Sequence, residues 1–172
     1  PEHWTWKHEA LLQDNVSKSV KKAIAFTTMP WVVGRAIVVD GKGKMVVLKG
    51  GRGANKGIYM TPGGILSYGE TSQETALREC LEEAGLESEV VKFLGVNEGL
   101  KSDGQQLFVF FYLAKPIAGE LKPNMDDSVE AFWMPIKEAL EKFDYYAFEF
   151  FKKWIKENPN EAKQLIGFSF DY

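Results

Sequence analysis

Cysteine is all but missing: Cys80 is the only one in 172 residues. A lone thiol excludes an internal disulfide framework and cannot build a thiolate metal site by itself. Histidine is nearly as scarce, with His3 and His8 both in the first ten residues and too few for a histidine metal site. No apolar run approaches the roughly 20 residues that cross a bilayer, so no membrane role is expected. The opening Pro1-Glu2-His3-Trp4 lacks the charged-then-apolar pattern of a secretory signal. A reducing, cytoplasmic setting is therefore the expectation. Charge of one sign is also lacking, since 21 Lys and Arg against 24 Asp and Glu leave a net charge of -3. That balance gives no electrostatic case for a general nucleic-acid binder. Repeats, low-complexity tracts and Pro/Ser-rich linkers are absent too, which leaves one domain with terminal extensions.

What is present is ordinary globular material, 45% hydrophobic and 26% charged. A chain of this size buries roughly 70% of its unfolded surface, enough for a real core. Leu12, Val16, Val20 and Ile24 recur every four residues and predict an amphipathic helix over residues 7–25. The period then changes. Trp31–Asp40 and Lys44–Lys49 are β-branched runs separated by Asp40-Gly41-Lys42-Gly43, the pattern of a hairpin. A glycine-rich, basic loop follows over Lys49–Lys56, then a short strand within Gly57–Thr61 and a turn at Pro62-Gly63-Gly64.

The next helix is punctuated at both ends. Thr71 and Glu74 form a capping-box pattern, and Gly85 stands where a left-handed C-terminal cap belongs. Strands are predicted over Val90–Leu94, Gln106–Ala114 and Val129–Met134, then a helix over Ile136–Phe143. Phe148, Phe151 and Ile155 carry a last helical stripe. Strands interleaved with helices give an α/β domain with a mixed sheet.

Ala76, Leu77, Cys80, Leu81 and Ala84 fall on one side of the Thr71–Ala84 helix, and Glu79, Glu82 and Glu83 on the other. Crowded carboxylates repel one another by on the order of 0.2–0.5 kcal/mol per pair. Arg78 and Glu74 offset part of this. A local violation with no structural gain is expected at a functional site, and hard oxygen donors suit Mg²⁺ or Mn²⁺.

From Gly64 to Leu86 the spacing reads G-x5-E-x7-R-E-U-x-E-E-x-G-U, with U a bulky apolar residue. Gly64, Glu70, Arg78, Glu79, Glu82, Glu83 and Gly85 occupy all its fixed positions. This run resembles the Nudix box. Tyr59–Gly64 resembles the family's approach to the box, and Phe132-Trp133-Met134-Pro135 its exit, so the likeness covers about residues 31–143. The resemblance implies an α/β/α sandwich and hydrolysis of a nucleoside diphosphate linked to a further moiety, with triphosphates and nucleotide sugars as the broad substrate class. It also implies that Glu79, Glu82, Glu83 and the carbonyl of Gly63 hold metal. Glu82 or Glu83 would polarise the attacking water, and Glu70 and Arg78 would hold the carboxylates in place. An extra acid, as ligand or base, falls among Asp126, Asp127 and Glu130. Arg52 and Lys56 are candidates for phosphate contact, and Trp31 and Tyr59 for stacking a base.

A binding or regulatory module on the same fold is the alternative; loss of box carboxylates would favour it, and none is lost. Action on RNA 5′ ends would want a dense basic tract, which is missing. Lys101-Ser102-Asp103-Gly104 stands where proline or tyrosine marks some family subgroups. The aromatic stretch after residue 143 carries two rows of rings, 148/151/155 and 146/150/154. The second row calls for cover from the N-terminal helix or from another subunit of a homodimer.

Overall fold

The computed structural model describes residues 29–100 and 105–170. The expected N-terminal helix and Lys101–Gly104 lie outside the described residues. Strands β1 (Trp31–Val38) and β2 (Lys44–Gly50) are joined by a turn built on Asp40. The Asp40 carboxylate accepts the backbone N–H of Lys42 at 2.7 Å and of Lys44 at 2.9 Å. The expected hairpin ends there. A single bridge, Val39 to Met45, links the two strands before they diverge into different sheets. The reason is burial. Both runs are covered on both faces, and an interior strand needs a partner along each edge.

β1 takes β4 (Gly63–Ile65) antiparallel on one side and β6 (Gln106–Gly119) parallel on the other. The long β5 (Leu86–Leu100) completes a sheet ordered β4-β1-β6-β5. β2 stands between β3 (Tyr59–Met60) and β7 (Ser128–Pro135), both antiparallel to it. β5 runs well past the expected Val90–Leu94. Its outer half is exposed, so no apolar run marked it.

Helix α1 (Ser72–Ala84) has the capping box and the left-handed Gly85 cap that its sequence predicts. It buries Thr75, Ala76, Cys80 and Ala84 against Ala36, Val38 and Ala114. Leu81, expected on this buried face, is exposed, because the sheet under the end of the helix is reached by Ala84 instead. On the opposite side lie α2 (Ile136–Lys142), α3 (Tyr146–Glu157) and α4 (Pro159–Ile166). Helices on both sides of the strands make an α/β/α sandwich.

The core runs on past residue 143. Phe148, Phe151, Ile155 and Ile166 are fully buried in the same cluster as Val33, Ile37 and Phe111. The second aromatic row makes ring contacts within the chain. Phe150 stacks on Phe111 at 4.0 Å between ring centres, and Tyr146 meets the same ring edge-on at 6.2 Å. α3 thus touches β6 through Tyr146 and Phe150, and these two with Trp154 also line an open groove beside Leu94–Asn97 of β5. Helix α4 went unanticipated, although Asn158-Pro159 and Gly167 punctuate it and Ala162 and Ile166 are its buried spacing.

Candidate active site

The turn into α1 and its last two turns place the acidic cluster. Arg78 is its hub. Its Nε donates to Glu70 Oε1 at 2.7 Å and its Nη2 to Glu70 Oε2 at 3.1 Å, a two-pronged contact. Its Nη1 reaches Glu79 at 2.7 Å and Glu82 at 3.0 Å. One guanidinium thus orients three carboxylates that would otherwise repel. Glu70 also accepts from the Ser67 N–H at 3.1 Å and the Thr75 hydroxyl at 2.9 Å. The Arg78 contact, followed by the Ser67 N–H, holds its carboxyl down at about 2.

Because the folded value lies below the ordinary 4.5, this carboxylate adds stability that is present above pH 4.5. That stability is lost as pH falls towards 2. Glu70→Gln should therefore be less stable than wild type near neutrality, with the difference closing across that window. Urea melts from pH 2 to 7 check this. A constant gap would show that the ion pair is not its source.

Glu83 sits deeper. It accepts the Gly63 N–H at 2.9 Å, and burial pushes its carboxyl up to about 7 despite that bond and the nearby Arg35 charge. Glu79 is also raised, first by burial, and its carboxylate lies so close to Gly64 that a Cβ there would stand 2.2 Å from Oε1. The loop before β7 is tied to the end of α1, since Ser128 Oγ donates to the Glu83 carbonyl at 2.9 Å. A further bond, from Gly51 N–H to the Asp127 carbonyl at 2.9 Å, brings the glycine-rich loop alongside. Arg52 then pairs with the Asp127 carboxylate.

Glu79, Glu82, Glu83, Asp127, Arg52, Arg78, Gly63 and Trp31 all line one open cleft of about 820 Å³. Others expected there do not reach it. Glu130 pairs with Lys49 at 2.7 Å, and Asp126 and Lys56 are exposed outside the cleft. Tyr59 stacks on Phe143 at 4.4 Å, as a core ring does. Conversely, Arg35, Asn55 and Asn97 line the cleft and were not singled out in the sequence, and Tyr145 and Tyr146 reach it from the aromatic stretch that was noted only for its packing. Arg35 alone carried a signal, a charge inside the apolar run WVVGRAIVVD.

Among the described residues the carboxylates do not converge into a ready-made cage, because Arg78 holds Glu79 and Glu82 on its own Nη1. The donor set nonetheless fits a divalent cation. Glu83 and Glu79 are pushed up by burial and by each other's neighbours, Asp127 included. A hard cation among these oxygens would relieve both.

A profile of the NUDIX domain matches residues 29–154. The chain belongs to the NUDIX domain family. An ADP-ribose pyrophosphatase from Methanocaldococcus jannaschii is 37% identical to this NUDIX chain, over 56% of the chain and 59% of the relative. An 8-oxo-dGDP phosphatase from Mus musculus is 32% identical, over 58% of the chain and 31% of the relative. The match thus spans less than two thirds of either relative. Among solved structures, a MutT NUDIX hydrolase from Burkholderia pseudomallei superposes with a TM-score of 0.63 at 24% identity. It covers 70% of this chain and 97% of that one, a likeness of fold. No helix among the described residues is long and apolar enough to cross a membrane.

Proposed function

We propose that this NUDIX chain is a divalent-metal-dependent pyrophosphohydrolase that cleaves the diphosphate linkage of a nucleoside diphosphate joined to a further group. The observation that carries the reading is the cleft itself. Four carboxylates, Glu79, Glu82, Glu83 and Asp127, line open space with Arg52 beside them. The names of the two curated relatives, a pyrophosphatase and a nucleotide phosphatase, support the substrate class. Nucleoside triphosphates and nucleotide sugars stand within it.

Glu79, Glu82, Glu83 and the Gly63 carbonyl would hold Mg²⁺ or Mn²⁺. When bound, the metal neutralises phosphate charge and acidifies a water. The chain's own residues do the rest. Arg78 fixes Glu79 and Glu82 in orientation, so little side-chain freedom is lost on binding. Arg52, anchored by Asp127, presents its remaining donors to the phosphates. Glu83, buried against the Gly63 N–H, is placed to take the proton of the attacking water.

A phosphate-release screen over a nucleotide library, with Mg²⁺ or Mn²⁺ and then with chelator, tests this. Turnover should appear with metal and vanish without it. The thermal melt should survive chelation, since the buried clusters under the cleft are apolar and need no metal to pack. Undiminished activity after exhaustive chelation would sink the mechanism. Nucleotide binding with no turnover across the library would make the chain a binding module instead.

A further inference from the structure

An arginine in the middle of a buried strand asks for a reason. Thr61 and Pro62 carry the chain from β3 in one sheet to β4 in the other. Thr61 is fully buried there and belongs to neither ladder. A buried carbonyl outside any ladder needs a donor from elsewhere. Arg35, only 4% exposed, supplies it, for its Nη1 donates to the Thr61 carbonyl. The next carbonyl, that of Pro62, accepts the Ala36 N–H at 2.9 Å. Gly63 then pairs with Arg35 in antiparallel register and gives its own N–H to Glu83 at 2.9 Å.

The second prong of the guanidinium goes elsewhere. Arg35 Nη2 donates to the Tyr145 hydroxyl at 3.3 Å, and the rings of Tyr145 and Tyr146 lie 5.4 and 5.3 Å away. One planar group thus joins β1, the crossing between the sheets and the start of α3. An ammonium could reach one of these points but has no fork to hold both. The arrangement has a cost, since the Arg35 Nε–H is buried without an acceptor. A local cost of that kind is expected where function sets the residue. The carboxylate on which its charge acts is Glu83.

Resting on the hydrolase reading, we infer that Arg35 is a positioning residue for the carboxylate end of the cleft. It fixes the crossing at Thr61 and Pro62, so that the Gly63 N–H holds Glu83 in place. Gly63 itself is held where its carbonyl would serve the metal. The action of Arg35 passes through Gly63 and Glu83 rather than through the substrate. Partners of this kind, one step behind the ligands, set how well the ligands are aimed.

Arg35→Met and Arg35→Lys test this by two independent readouts. Amide hydrogen exchange followed by NMR reads the brace with neither substrate nor metal present. Steady-state kinetics with Mg²⁺ on the four nucleoside triphosphates, ADP-ribose and UDP-glucose read its consequence. In Arg35→Met, exchange at Gly63 should quicken by about tenfold, the lower worth of a hydrogen bond to a charged group. Val109 and Leu113, inside β6, should keep their wild-type rates. kcat should fall by about 10- to 100-fold with KM little changed. Arg35→Lys should show both effects at smaller size. Should Arg35→Met not fold, the lysine variant decides, and wild-type exchange with wild-type kcat in it overturns the inference. In folded Arg35→Met, unchanged exchange at Gly63, an equal rise at Val109 and Leu113, a wild-type kcat, or a loss carried by KM each overturns it. All of these leave the hydrolase reading intact. No turnover of any probe by wild type, with exchange at Gly63 quickened in the variant, sinks the hydrolase reading and leaves the brace standing. No turnover and no change at Gly63 removes both.

Discussion

Glu83→Gln is expected to lower kcat by about 10²- to 10⁴-fold, the usual loss when a proton-transfer group is removed, with KM little changed. The carboxamide keeps the volume of the side chain and can still accept the Gly63 N–H that Glu83 accepts at 2.9 Å. It cannot take a proton from water. A loss confined to kcat is the signature of an interaction used mainly in the transition state. Glu82→Gln should cost less, because that carboxylate is 52% exposed and already leans on Arg78.

The same Glu83 substitution should stabilise the metal-free fold. Burial raises the Glu83 carboxyl from 4.5 to about 7, so its ionisation is harder in the folded chain than in the unfolded one. The folded state is therefore favoured below pH 4.5 and progressively penalised as pH rises to 7. Glutamine has no such penalty, so thermal melts in chelator at pH 8 should place Glu83→Gln above wild type. Steady-state kinetics beside those melts separate the two effects. A near-wild-type kcat, or a variant less stable than wild type at pH 8, would contradict this account of Glu83.

Gly34→Ala is the second large effect, and it acts through packing. A Cβ on Gly34 would stand 2.1 Å from the Ser72 carbonyl oxygen and 2.9 Å from the Ala76 nitrogen. Both are backbone atoms of α1, so no side chain can swing aside. The helix must move or the strand must bend. Overpacking of this kind costs about 1–3 kcal/mol, occasionally more, and backbone on both sides argues for the upper end. Since α1 carries Glu79, Glu82 and Glu83, activity should fall further than stability alone explains. Denaturant melts and kcat on the folded fraction would show it. A variant with wild-type stability would mean that α1 rides on β1 more loosely than these distances state.

Such local signals explain what the sequence made legible. The capping box of Thr71 and Glu74, the Gly85 cap and the box spacing from Gly64 to Leu86 act within a few residues of themselves. Each was readable in isolation, and the structure has both caps. The turn at Asp40 was equally readable, but which strands pair beyond it was not. That choice depends on burial of both faces by elements far away in sequence. Arg35 failed for the opposite reason. Its position inside a strand was visible, but its face, and the cleft that face lines, arise only when β6 takes its place beside β1. Tyr59 and Trp31 looked alike as aromatic residues next to apolar runs. One stacks into the core on Phe143 and the other opens on the cleft, a difference set by tertiary placement alone.

The parallel pairing of β1 with β6 also sets an order of assembly. The two strands are far apart in the chain, with α1 and both remaining strands of their sheet, β4 and β5, between them. Closing so long a loop is slow and yields nothing until it is complete. A nascent chain that has emerged only as far as α1 already holds Arg78, Glu79, Glu82 and Glu83, yet has no wall opposite them. Ligand binding should therefore be among the last properties acquired during folding. It would serve as a probe of the finished sheet rather than of the helix that carries the acids.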